Sequence, residues 1–409
     1  MAGPETLLGL DIGTTKVAAV IGGRGAGVRI LGAASVPSTG LRRGTVVDVA
    51  ETTRSIQEAV TKAQRMAGVQ VELAWVGVTG QHIACLNSRG EVQLARANRE
   101  ITWSDVDRAM AASVSAVSIP PDRQVIHAIS REFVVDDEPR VKHPVGLSAN
   151  KLAVETHLVT ASRNLIDNIL RCVEAAGLAV AELVAEPLAT AEAVVSEDEQ
   201  QLGILLVDVG GGTTDVALFS EGSVAHTGAI PAAGNNVTHD LAIALGVTHP
   251  QAEQIKLAHG CARMADVPEE QMVALPRGEE ERTVSRRFIA EVIEARVHEI
   301  FRLVAQQMPK VGAKWPPPGG AVITGGGSLL PGIVSVAQEA LGCRARLGRP
   351  RVSSGPIHLL ESPALATAVG LVYYGHREAE ARRAEPRPAA RIMPVIGRLV
   401  AWVRELFSS

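Results

Sequence analysis

Two glycine turns, half a chain apart, constrain this sequence more than any other feature. The run LLVDVGGGTTDVALF at residues 205–219 reads as strand, tight turn and strand: residues 205–209 are apolar, Gly210, Gly211 and Gly212 interrupt them, and residues 216–219 resume the run. Three adjacent glycines let backbone N–H groups close around an anion, because no Cβ blocks the approach. Thr213 and Thr214 add hydroxyls, while Asp208 and Asp215 set carboxylates beside the same spot. Carboxylates repel a phosphate, so a divalent cation is the natural mediator. Magnesium fits, since it is held by one or two carboxylates and keeps several waters. Taken alone, such a hairpin is as readily a plain tight turn as a phosphate cradle. A second copy shifts the balance: LGLDIGTTKVAAV at residues 8–20 repeats the scheme with Asp11, Gly13, Thr14, Thr15 and Lys16. Two related domains facing each other across a cleft are therefore expected. Lys16 stands where Asp215 stands in the other copy, so one half offers an ammonium to phosphate oxygens and the other offers carboxylates to the metal.

The chain is long enough for this. At roughly 150 residues per domain, 409 residues make two or three domains, and 46% hydrophobic residues fill their cores, with only 3% aromatic. A formal charge of −4 argues against a nucleic-acid protein, whose footprint is basic. Cys85, Cys172, Cys261 and Cys343 lie far apart, which suits reduced thiols in a cytoplasm better than disulfides or zinc. The first residues lack a basic segment followed by a signal-peptide core. No apolar run reaches the roughly 18 residues that a transmembrane helix needs.

Helical spacing of Ile56, Val60, Ala63 and Ala67 predicts a helix over 49–68, ended by Gly68. Residues 84–160 change style and read as a small α+β insertion, with a capping box at Ser104 and Asp107 and strands at 124–135 and 151–160. Its surface is a candidate partner site or a plain structural addition. Glu186 precedes Pro187 at a helix start, either as a capping acid or as a carboxylate that orients a water in the cleft. Helices are expected at 234–245 and 249–259, the second carrying Glu253 and Lys256, which by themselves are solvated charges. A longer helix is expected at 285–308, bearing Arg286, Arg287 and Arg302. A third glycine turn, AVITGGGSLLPGI at 321–333, holds Gly325, Gly326 and Gly327, where a flat nucleoside can lie against backbone. A last Ala-rich helix, 363–374, is expected to stop at Gly375.

Residues 376–390 read as a flexible linker, with Pro386 and Pro388 preventing a continuous helix. On a helical wheel, residues 391–407 separate cleanly. Ile392, Met393, Val395, Ile396, Leu399, Val400, Trp402, Val403, Leu406 and Phe407 share one half, and Gly397, Arg398, Ala401, Arg404 and Glu405 the other. The segment is too short to span a bilayer, and Trp402 suits an interface. Seven Arg against four Glu over 377–409 make the tail cationic, as anionic lipid favours. The competing reading docks this helix on the protein's own core.

The motifs GLDIGTTK, VDVGGGTTD and TGGGSLLPG together resemble the actin, sugar-kinase and DnaK-type chaperone superfamily. Within it, HPVGLSANKL, AGNNVTHDLA, AEQIKLAHGCA and the amphipathic tail are similar to the FtsA family of bacterial cell-division proteins, over essentially the whole chain. The resemblance implies an α/β, actin-like two-domain fold of duplicated ribonuclease-H-like sheets around a nucleotide cleft. It divides the chain into a first domain at 1–83, 161–200 and 361–375 and a 1C-like insertion at 84–160. The second domain follows at 201–226 and 311–360 with a 2B-like subdomain at 227–310; a linker at 376–390 and a membrane helix at 391–409 complete the chain. It further implies ATP with magnesium, at most weak turnover, and self-association into filaments. The implied place is the cytoplasmic side of the inner membrane at the division site, as a peripheral protein that anchors FtsZ and helps recruit other divisome proteins.

Carried onto this sequence, Gly13, Thr14, Thr15, Lys16, Gly211, Gly212, Thr213 and Thr214 would hold phosphates. Asp11 and Asp208 would organise the magnesium shell, largely through water, and Glu253, Lys256, Gly325, Gly326 and Gly327 would take the nucleoside. Glu186 matches the water-orienting carboxylate. The 2B-like part would bind the FtsZ C-terminal tail, with Arg286, Arg287 and Arg302 as its cations. An MreB-type rod-shape protein would lack the insertion. A sugar kinase would need a polar sugar pocket with a catalytic aspartate, and a DnaK-type chaperone a β-rich domain after the nucleotide domain; no stretch here supplies either.

Overall fold

A computed structural model of the chain describes residues 6–384, apart from 26, 96–97, 276–281, 309–314, 353 and 357–359. The amphipathic tail and the residues expected to face a membrane lie outside the described residues. Each of the first two glycine turns joins two strands of one hairpin. β1 (Thr6–Ile12) pairs antiparallel with β2 (Lys16–Gly25), and β2 with β3 (Gly27–Pro37). After the helix α1 (Val49–Ala67) the chain adds β4 (Leu73–Val78), parallel to β1. Helix α1 starts on Asp48, whose carboxylate accepts from the Glu51 N–H, and stops at Gly68 with φ +68°, as its sequence predicts.

The insertion then leaves the domain as β5 (Ala84–Gln93), α2 (Trp103–Ser115), β6 (Arg123–Val135), β7 (Glu138–Val141) and β8 (Lys151–Ser162), in the sheet order β7-β6-β8-β5. It has a small core of its own, built from Ile101, Val106, Ala109, Phe133, Leu152 and Val154. The capping box of helix α2 lies two residues earlier than the expected Ser104–Asp107 pair. Its N-cap is Thr102, because Asp105 accepts from the Thr102 N–H at 2.9 Å and its hydroxyl at 2.7 Å while Arg99 and Arg108 hold the other oxygen at 2.6 Å. Arg99 first, and Thr102 and Arg108 after it, keep the Asp105 carboxyl well below the usual carboxylate range against the cost of burial.

The first domain resumes with α3 (Arg163–Ala175), β9 (Ala179–Ala185) and α4 (Glu186–Val194), β9 lying parallel to β4. A short helix, α5 (Glu197–Leu202), leads to the second sheet, where the opening scheme is repeated strand for strand. β10 (Ile204–Val209), β11 (Thr214–Ser220) and β12 (Ser223–Ile230) run antiparallel, while β13 (Ala321–Thr324) and β14 (Ala345–Leu347) add in parallel on the other edge. The two five-stranded orders, β9-β4-β1-β2-β3 and β12-β11-β10-β13-β14, place their glycine hairpins in equivalent positions. Between β12 and β13 lie α6 (Gly234–Leu245), α7 (His249–His259), a hairpin of Met272–Leu275 with Arg282–Ser285, and α8 (Arg286–Gln307). α9 (Ile333–Leu341) follows the third glycine turn.

The last helix, α10 (Ala366–Ala384), corrects the expected end at Gly375 and the expected start of the flexible linker: residues 376–384 are helical. Gly375 is a packing residue, since a Cβ there would stand 2.9 Å from the Trp75 ring. α10 crosses α4 so closely that a Cβ on Gly370 would lie 1.8 Å from the Ala189 carbonyl oxygen.

The insertion also touches the second domain, along the edge strand β12, and there the contact is polar. Asn87 Nδ2 donates to the Ala225 carbonyl at 3.3 Å, Ser223 Oγ to the Arg131 carbonyl at 2.7 Å, and His157 Nε2 lies 3.0 Å from Thr227 Oγ1. Burial, then the neighbouring His226, Arg131 and His127, push the His157 pKa down to about 3, so the ring is neutral in this seam.

Candidate functional site

The two hairpins close with the same backbone bond, Gly13 N–H to the Lys16 carbonyl at 2.9 Å and Gly210 N–H to the Thr213 carbonyl at 3.0 Å. Their tips meet. A Cβ on Gly211 would fall 2.2 Å from Thr15 Cγ2, and one on Gly212 would fall 2.5 Å from Thr14 Oγ1. The sequence suggested two cradles facing each other; the structure interlocks them into one site, and only glycine allows that approach.

Beneath the tips sit four carboxylates and one ammonium. Lys16 Nζ donates to Asp11 Oδ2 at 2.5 Å, with a quarter of the lysine side chain still exposed. Burial works against the Lys16 charge, but Asp11, Asp208 and Glu186 outweigh it and raise its pKa. Asp208 Oδ2 accepts from Thr190 Oγ1 at 3.0 Å and Thr367 Oγ1 at 3.1 Å. Burial lifts the Asp208 carboxyl to about 6, Lys16 opposing and Asp11 adding to the rise. Asp215, its cross-strand partner, accepts from Thr79 of the first domain and from Thr213 at 3.1 Å, and burial lifts it to about 7. Glu186 is 7% exposed, and its Oε1 accepts no hydrogen bond among the described residues. Burial, then Asp11, Asp215 and Asp208, push its pKa well above the ordinary range. It is the first residue of α4, with Ala185 as N-cap, and the unsatisfied oxygen makes no bond to the helix end but lies 3.4 Å from where a Cβ on Gly77 would stand. Buried acids this close together either hold protons, as these raised values mark, or need a cation beside them. Among the described residues no three His, Cys, Asp or Glu side chains converge closely enough to ligate one directly.

The third glycine turn joins the same site. Gly325, at φ +84°, leaves its missing Cβ 2.2 Å from Asp208 Oδ1, and Gly327 lies equally tight on Val209, while Gly326 faces open room. On α7, Lys256 is buried and bonded to Glu253 Oε2 at 2.6 Å, Thr238 Oγ1 at 2.9 Å and the Gly234 carbonyl at 3.3 Å. Gly234 N–H in turn donates to the Gly210 carbonyl at 3.0 Å, which ties this pair to the central hairpin. By themselves in the sequence Glu253 and Lys256 read as solvated charges on a helix; the fold makes them an ion pair, with Lys256 buried against α6.

Of the three arginines on α8, Arg286 is spent on its own chain, donating to the His259 carbonyl at 3.0 Å and Gln271 Oε1 at 2.7 Å. Arg287 pairs with Glu269, and Arg302 is exposed. Thr79, Thr190 and Thr367 escaped the sequence reading. A signal existed: residues 188–191 and 365–368 are both LATA, each shortly after a proline, one in each crossing helix.

Residues 205–370 match the family model described as cell division protein FtsA, and residues 80–160 match the SHS2 domain inserted in FtsA. The cell division protein FtsA of Pseudomonas aeruginosa is 38% identical over 416 residues, covering 98% of each chain. The chain belongs to the FtsA family. The FtsA of Escherichia coli K12 is 36% identical, again over 98% of each chain, and that of Bacillus subtilis is 35% identical over 92% of this chain and 84% of its own. Among solved structures, the PilM–PilN type IV pilus biogenesis complex superposes with a TM-score of 0.65 at 18% identity, covering 90% of this chain and 98% of that one. MreB5 of Spiroplasma citri bound to ADP gives 0.55 at 14%, covering 93% and 100%. These likenesses show an actin-like fold. The SHS2 match falls on the expected insertion, and membership of the FtsA family removes the rod-shape and small-molecule kinase alternatives. Among the described residues no helix is long and apolar enough to cross a membrane.

Proposed function

We propose that this FtsA-family chain binds ATP with magnesium between its interlocked hairpins and acts chiefly as a self-associating adaptor at the division site. One observation carries the nucleotide reading: four buried carboxylates, with Lys16 bonded to Asp11 and acting on Asp208 and Glu186, gather where two glycine-threonine tips interlock. Gly13, Thr14, Thr15 and Lys16 on one side and Gly211, Gly212, Thr213 and Thr214 on the other would hold the phosphates. Asp11 and Asp208 would hold the magnesium through its waters, and the ion supplies the positive charge that lets acids and phosphates share one space. Gly325 to Gly327 and the Glu253–Lys256 pair would receive the nucleoside. Glu186 Oε1 offers an acceptor to a water, which supports slow hydrolysis at most. Asp208→Ala is expected to weaken MgATP binding at least tenfold by calorimetry and to lower self-association with it. Unchanged affinity would remove the central hairpin from the site.

The adaptor reading rests on the family and on two surfaces. The FtsZ C-terminal tail is proposed to bind the subdomain spanning 227–310, where Arg302 and Arg287 offer cations to an acidic peptide; Arg286 is structural. Because an exposed ion pair is worth only about 1 kcal/mol, Arg302→Glu should weaken the tail peptide about fivefold in fluorescence anisotropy and leave ATP affinity alone. Equal peptide affinity would take Arg302 out of the contact. Residues 391–409 are proposed to lie on anionic lipid at the inner face of the cell membrane, and the insertion to contribute to contacts along a filament and with other divisome proteins.

A further inference from the structure

Asp208 is gripped on one oxygen and free on the other. Thr190 comes from α4 and Thr367 from α10, the two helices that cross at Gly370, yet both hydroxyls converge on Asp208 Oδ2 at 3.0 and 3.1 Å and lie 2.9 Å from each other. Both side chains are buried, at 0% and 6% exposure. A helical threonine ordinarily turns its hydroxyl back to a carbonyl of the preceding turn; these two direct theirs sideways, into the second domain. Three oxygens in mutual contact share two hydroxyl protons, so in every arrangement Oδ2 receives at least one. Oδ1 is left beside Gly325, where no Cβ intrudes.

We propose that Thr190 and Thr367 are positioning residues that fix the rotation of the Asp208 carboxylate, saturating Oδ2 so that Oδ1 faces the waters of the metal. They thereby set how strongly magnesium promotes nucleotide binding. The inference rests on the MgATP reading given above. The matching LATA segments put a threonine at the same place in each crossing helix, Thr190 three residues after Pro187 and Thr367 four after Pro363, so the grip is built from both helices at once.

The test compares ATP affinity in magnesium with that in EDTA, by calorimetry on the full chain. In the double variant Thr190→Val, Thr367→Val the gain in affinity conferred by magnesium should fall about tenfold, the scale of a lost hydrogen bond to a charged group, while affinity in EDTA stays level. Each single valine should lower the gain about threefold or less, because the remaining hydroxyl gives its one proton wholly to Oδ2. The double serine variant, which keeps the hydroxyls and removes the methyls, should retain the full gain. A double valine protein that melts cooperatively and keeps the magnesium gain overturns the proposal, as does a double serine protein that loses as much as the valine one. If the double valine protein does not fold, an undiminished gain in the folded single variant Thr367→Val overturns it equally. An unaltered protein that binds no ATP in either condition overturns the nucleotide reading and this inference together; loss confined to the variants' magnesium gain supports both.

Discussion

Gly370→Ala is expected to destabilise the protein by about 3 kcal/mol or more, a large part of the roughly 5–15 kcal/mol that holds a domain together. The added Cβ would stand 1.8 Å from the Ala189 carbonyl oxygen and 2.5 Å from its carbon, so α4 and α10 must separate. Both contacts are backbone, and no side-chain rotation relieves them. Thr367 sits one turn earlier on α10, and its hydroxyl would be drawn off Asp208 with the helix. A drop in MgATP affinity should therefore accompany the drop in stability. Gly342→Ala is the control: its φ is +67° but a Cβ there meets no atom within 4 Å, so only a backbone cost of about 1 kcal/mol is expected. Urea unfolding of the two variants decides the matter. A Gly370→Ala midpoint no lower than that of Gly342→Ala would mean that the helix crossing yields easily.

Replacing Trp402 and Phe407 together by glutamate is expected to release the protein from anionic vesicles. Each large apolar side chain buried at the acyl boundary contributes roughly 1.5–3 kcal/mol. Losing both, and adding two negative charges to a tail whose Arg exceed its Glu, lowers the partition constant by about a hundredfold or more. Co-sedimentation with liposomes reads this directly, while the nucleotide site, remote in sequence, should bind ATP as before. A doubly substituted protein that pellets with lipid as well as its parent would return the helix to the alternative in which it docks on the protein's own core.

Much of the site was legible because its signals are local. A glycine turn between apolar runs announces a hairpin whatever surrounds it, and both central hairpins form where the pattern placed them. α6 and α7 begin and end at the expected residues, since Gly246 takes φ +64° after the one and Thr248 with Pro250 opens the other. What stayed hidden depends on residues far apart in the chain. Nothing near Gly211 announces that Thr15 will press against it. Gly375 has the local look of a helix stop, and only the Trp75 ring from another strand explains why a glycine stands within a continuing helix. Arg286 has the look of a free cation until the His259 carbonyl and Gln271 are folded against it. Threonines 79, 190 and 367 went unread for a related reason: Thr79 has no local signature, the repeated LATA of Thr190 and Thr367 is visible only when two segments far apart in the chain are compared, and the role of all three exists only where two domains meet.

The helix that continues through Gly375 also decides how far an anchor can stray. Residues 376–384 carry the chain about 14 Å beyond that glycine as a stiff spoke, and the six residues numbered 385–390 can extend no more than about 20 Å. A lipid-bound segment at 391–409 would therefore work on a short leash fastened to a rigid arm. A body moored in that way cannot tumble freely above a bilayer. It would present the end where α10 emerges to the lipid and turn its opposite flank inward, which would bias the orientation of neighbouring copies before any of them touch.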